Sequence, residues 1–172
     1  STGKTFSMGN QLTFSGSGEL DNGLNVSLSF VLDQGDEGTA GTQATSPFDS
    51  HSVTISSDSL GTLVFSGEGG SSATSALDTT AAGDIWDSFD IATTVHPTGV
   101  GGGSNSMLYT LPAMVDGLSI SAGYTPTGTT ADSATSYSAT YTGVEGLSVT
   151  YATGDSTDDV TDAAVLKGTY AY

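Results

Sequence analysis

The chain has 172 residues and sets 19 acidic side chains against two basic ones, for a formal net charge of −17. That balance excludes nucleic acid as a partner and leaves no basic patch for an anionic lipid surface, while the absence of cysteine excludes a disulfide-stapled scaffold and thiolate metal sites. Apolar residues make up 35%, below the roughly 45–50% usual in globular domains, and no apolar run approaches the roughly 20 residues of a transmembrane helix.

Ser1 opens directly in polar, strand-like sequence without a signal peptide, as expected of a processed or internal start. Nine strand-like segments follow, at about 5–19, 24–32, 51–57, 62–66, 106–111, 118–124, 136–141, 147–152 and 163–172. Their signal is period 2. Leu24, Val26, Leu28, Phe30 and Leu32 alternate with Asn25, Ser27, Ser29, Val31 and Asp33. Leu147, Val149 and Tyr151 alternate with Ser148, Thr150 and Ala152. Such alternation gives strands with one apolar and one polar face, and its recurrence argues against the disorder that low hydrophobicity and high charge otherwise suggest. Tyr109, Tyr124, Tyr137, Tyr141, Tyr151, Tyr170 and Tyr172 all share parity with apolar neighbours.

Short turns and long connections alternate. The turns are Asp21-Asn22-Gly23, Asp58-Ser59-Leu60-Gly61, Val115-Asp116-Gly117 and Val144-Glu145-Gly146, and Asn-Gly and Asp-Gly favour tight hairpins because these need positive φ. The connections run over about 33–50, 67–105, 125–135 and 153–162. In an up-and-down sheet this rhythm places tight turns on one edge and long loops on the other, the layout of a transmembrane β-barrel. The apolar face then meets lipid, and the Ser- and Thr-rich face, including Ser27, Ser29, Thr110, Ser121, Ser138, Thr140 and Thr150, meets water. Asn10 and Gly16 interrupt the apolar face of the first segment, where a subunit contact would shelter Asn10.

The order of these segments resembles the early strands of Gram-negative general porins. The similarity is carried by the Glu-Leu-Asp-Asn-Gly-Leu turn at 19–24, the alternating strand 26–32, Ser-Val-Thr-Ile-Ser at 52–56 and Leu-Gly-Thr-Leu-Val-Phe-Ser-Gly at 60–67. The hairpins at 116–118 and 145–147 continue the pattern, so the resemblance covers most of the chain. It implies an all-β, antiparallel up-and-down barrel of sixteen strands in the outer membrane, with passive diffusion of small hydrophilic solutes and ions and a homotrimeric state. Nine segments is an odd and short count for that family, so residues 1–172 are expected to be one β-barrel domain that is part of a longer chain. The family also sets arginines on the wall against acids on its constriction loop, and this chain has none.

The resemblance places the constriction loop at 67–105. Its acids Glu68, Asp78, Asp84, Asp87 and Asp90 would then favour cations in a narrow passage, with Trp86 and Phe89 anchoring the loop and the seven tyrosines at the lipid interface. Lys167, with inward parity, would face the acids. An ordinary solvated loop with an aromatic anchor, and a solvated rim lysine, are the competing readings. Asp155, Asp158, Asp159 and Asp162 form one acidic loop and Asp33, Asp36 and Glu37 another. Neither has the spacing of a calcium loop, so no metal or other cofactor is expected, with Ca²⁺ at these loops the weaker alternative.

Catalysis has no foothold. His51 and His96 are isolated, no Gly-x-Ser-x-Gly or His-Glu-x-x-His occurs, and the serines alternate along strands. The alternative from another class is a secreted or surface-layer β-rich adhesin with acidic, calcium-binding loops, which would pair two apolar faces in a dry core.

Overall fold

The computed structural model describes residues 11–32, 48–77, 102–126, 133–156 and 163–171. They form β1 (Leu12–Glu19), β2 (Asn25–Leu32), β3 (Phe48–Ser57), β4 (Gly61–Glu68), β5 (Ser106–Thr110), β6 (Leu118–Thr125), β7 (Ala134–Val144), β8 (Leu147–Ser156) and β9 (Ala163–Tyr170), with one 3-10 turn at Ala73–Leu77. The strands make a single nine-stranded sheet in sequence order, every neighbouring pair antiparallel. The sheet is not closed: β1 and β9 are its edges, and as odd-numbered members of an antiparallel series they run in the same direction.

Turn chemistry dictates this order. Gly23, Gly61, Gly117 and Gly146 have φ of 80°, 83°, 75° and 75°, the left-handed conformation that glycine adopts without penalty. Each reverses the chain within a few residues and so pairs β1 with β2, β3 with β4, β5 with β6 and β7 with β8. Successive turns also clasp one another along the rim. Thr142 N–H donates to the Gly117 carbonyl at 2.7 Å, and Ala171 N–H to the Gly146 carbonyl at 2.8 Å.

The register carries the two faces across the whole sheet. One row on the apolar face runs Gly16, Leu28, Val53, Phe65, Met107, Tyr124. Beside it Phe14 and Phe30 pair across β1 and β2 with ring centroids 4.9 Å apart. Leu28, Phe65, Tyr137, Tyr151 and Leu166 are all exposed. On the other face a row of five serines, Ser15, Ser29, Ser52, Ser66 and Ser106, crosses β1 to β5. Cross-strand hydroxyl pairs join Thr110 to Ser121 at 3.1 Å and Thr140 to Thr150 at 3.0 Å. Val31, as its alternation predicts, shares this face by register, and so do Val64, Leu108 and Val165.

No second layer covers the apolar face among the described residues. Among the described residues the only buried apolar ones are Ala73 and Ala152, at 2% and 0% exposure. The buried polar residues are Ser72, Thr74, Ser106, Ser136, Ser138 and Thr150. All of these lie on the hydroxyl face or on the chain laid against it, so this sheet buries small, hydroxylated groups and leaves its large apolar side chains outside. That inverts the arrangement of a water-soluble domain.

Candidate functional site

The chain leaving β4 does not turn outward. It bends back over the hydroxyl face and runs across the wall strand by strand. Gly70 passes first, so close that a Cβ there would overlap the Ser106 hydroxyl and stand 2.7 Å from the Ser66 Cβ. Ser72 and Ala73 follow over β6 and β7, and the 3-10 turn then lies against β6, β7 and β8. The return leg is pinned beside the outgoing one. Gly70 and Gly103 exchange two backbone hydrogen bonds, at 2.9 and 2.7 Å. Gly102 N–H donates to Thr125 Oγ1 at 2.9 Å and Asn105 N–H to the Gly67 carbonyl at 3.0 Å. Gly69, Gly102 and Gly103 take positive φ at this neck without penalty, and Asn105 takes φ 57°, a left-handed conformation that asparagine tolerates.

Wall residues under this strap are small. Gly123, Ser136 and Gly154 form one row across β6, β7 and β8, with Ser121, Ser138 and Ala152 the next. A Cβ on Gly123 would overlap the Ser136 hydroxyl and stand 3.2 Å from Ala73 N. Ser136 is 1% exposed, and its Oγ accepts from Ala73 N–H at 3.0 Å. Within the strap Ser72 is the hub: its Oγ is 2.7 Å from Thr74 Oγ1, and its N–H donates to Ser75 Oγ at 3.2 Å. Among the described residues no buried side-chain polar atom lacks a hydrogen-bond partner.

Of the residues singled out from sequence, Glu68 ends β4 on this face, exposed, opposite His51 in the register. Both border a cavity of about 370 Å³ whose lining includes Ser29, Ser52, Ser66 and Leu108. The His51 ring lies over Gly67, where a Cβ would overlap it. Lys167 is half-buried on β9, in one row with Thr150, Thr140 and Ser119. Glu68 and Lys167 are thus held on separate strands, β4 and β9. Asp78, Asp84, Trp86, Asp87, Phe89, Asp90, His96 and Tyr172 lie outside the described residues, as do Asp33, Asp36, Glu37, Asp158, Asp159 and Asp162. Asp155 sits near the end of β8, opposite Thr135.

The tyrosines occupy two levels and a middle. Tyr109 donates its hydroxyl to the Leu60 carbonyl in the β3–β4 turn at 2.5 Å, the Tyr141 ring covers Gly143, and the Tyr170 ring approaches Gly146, so these three mark the short-turn edge. Tyr124 and Tyr137 lie toward the long-loop edge, and Tyr151 stands mid-strand opposite Ala139. The seat formed by Gly123, Ser136, Ala152 and Gly154 had not been singled out from sequence. Its signal was there, a cluster of the smallest residues at inward parity on three consecutive strands, but it reads as ordinary lining until the strap is known to lie on it.

A one-layer antiparallel wall, apolar outside and hydroxylated inside, with a loop returned onto the inner face, belongs to the class of transmembrane β-barrels that enclose water. The family model described as Gram-negative porin matches residues 1–172, and the chain belongs to that family. It is accordingly an outer-membrane channel protein for small solutes, in a family of pores rather than enzymes. Comparison with the curated proteins found no match.

Proposed function

We propose that this porin is a general-diffusion pore with a modest preference for cations, set by an acidic constriction at 67–105. The observation that carries the reading is the strap: the chain enters the hydroxyl face at Gly70 and returns at Gly102–Gly103, so the segment between them begins and ends inside the wall. Asp78, Asp84, Asp87 and Asp90 belong to that segment, Glu68 stands at its neck, and Lys167 on the hydroxyl face of β9 is the counter-charge in this reading. In a narrow, low-dielectric passage an excess of carboxylates concentrates cations. Trp86 and Phe89 serve as anchors of the segment, the tyrosines near the two edges of the sheet as interface residues with Tyr151 at mid-wall instead, and no cofactor takes part.

The sheet's two edges point the same way, so antiparallel closure needs an odd number of further strands between β9 and β1. We take residues 1–172 as one part of such a barrel, assembled as a homotrimer. The test is a planar bilayer with a KCl gradient. The pore should give a reversal potential of cation-selective sign, and Asp78→Asn, Asp84→Asn, Asp87→Asn and Asp90→Asn combined should move it toward zero while raising or preserving conductance. A reversal potential that the quadruple variant leaves untouched would remove these acids from the constriction. A water-soluble protein that forms no channels would favour the adhesin alternative.

A further inference from the structure

The wall beneath the strap is more than a passive surface. At the entry to a 3-10 turn the first N–H groups have no partner within the turn, and a buried N–H left unpaired is costly. Ala73 N–H is such a group, at 2% residue exposure, and the acceptor is Ser136 Oγ, 63 residues away on β7. Every neighbour that lets the strap approach is stripped of bulk: Gly123 and Gly154 flank Ser136 in its row, and Ala152 is fully buried. The Ser136 hydroxyl therefore works as a cap supplied in trans by the wall, in a notch cut to the width of the backbone.

We propose that Ser136 is a positioning residue of the pore: seated between Gly123 and Gly154, it holds the Ser72–Thr74 strap flat against β6–β8 and thereby fixes a single open width of the lumen. The proposal rests on the pore reading above. Losing the Ser136 acceptor leaves the Ala73 N–H to seek water, which is available only if the strap lifts from the wall. Adding a methyl at Gly123 displaces the same contact from the other side. Two chemically opposite changes, one removing an atom and one adding one, should therefore converge on one channel phenotype.

The experiment compares single-channel recordings of the intact protein with Ser136→Ala, Gly123→Ala and, as control, Ser27→Ala, which lies in the same row on β2 away from the strap. Each is also checked for folding by its heat-modifiable mobility in detergent. Ser136→Ala and Gly123→Ala should fold and show a second conductance level, occupied at least roughly tenfold more than in the parent, as expected for one lost buried hydrogen bond. Ser27→Ala should give the parental trace. Parental traces from both strap variants would overturn the proposal. So would loss of the folded barrel in Ser136→Ala, which would make the residue structural only. A parent protein without channels would sink the pore reading itself, an outcome distinct from either.

Discussion

Leu28→Arg should sharply reduce insertion and channel formation, whereas Ser29→Arg, one residue along, should still insert and should shift the reversal potential toward anions. Both positions sit in mid-β2, and they differ only in face. Leu28 is 45% exposed on the apolar side, opposite Gly16 and Val53, so an arginine there must enter lipid at a cost of about 2–4 kcal/mol near the midplane. Ser29 lies in the five-serine row on the water side, where a guanidinium keeps its hydration and adds a positive charge to an acidic lumen. Folding into lipid vesicles, followed by heat-modifiable mobility, reads the first effect, and reversal potential reads the second. If Leu28→Arg inserts as readily as Ser29→Arg, the assignment of faces is wrong.

Gly117→Ala should destabilise the folded barrel by about 2–5 kcal/mol, and Gly23→Ala by only about 1–2 kcal/mol. Both glycines carry positive φ, at 75° and 80°, so an L side chain at either one incurs the left-handed penalty of about 1–2 kcal/mol. Only Gly117 has a neighbour in the way. A Cβ there would overlap the backbone of Gly143 and stand 3.0 Å from the Thr142 carbonyl carbon, whereas at Gly23 nothing lies within 4 Å. The overlap involves backbone and adds about 1–3 kcal/mol. Gly61 belongs with Gly117, its Cβ position crowded by Thr110, Leu111 and Pro112 of the next turn. Urea midpoints of vesicle-folded protein check the ranking, and equal losses at Gly23 and Gly117 would show that the turns do not bear on one another.

The wall was legible in the sequence because its physics is local. Leu24 through Leu32 declare two faces by alternation alone, and all four predicted turn glycines adopt the positive φ that made them turn signals. Strand ends were less legible where alternation lapses. β7 runs on through Thr142 and Gly143 to Val144 by a register shift, and β8 continues through Thr153 to Ser156, where polar residues follow one another. Least legible was the seat of the strap, since the resemblance places a loop at 67–105 but not the contacts that hold it. Ser72 and Thr74 are buried although they are hydroxylated, and Ser136 caps a backbone group 63 residues distant. No one-dimensional period encodes such a contact, because it depends on which strand lies beneath a returning loop.

Among the described residues almost no apolar side chain is buried, and that has a consequence for the chain before it folds. Serines, threonines, glycines and other polar residues interrupt the apolar residues along the strands, and among the described residues no helix is long and apolar enough to cross a membrane. An unfolded segment of this kind offers a translocation channel nothing to divert sideways into the first bilayer it meets. It also gives water no compact hydrophobic nucleus around which to collapse prematurely. The greasy stripe comes into being only when neighbouring strands align, so the polypeptide can travel as a polar chain and become a membrane protein at its destination.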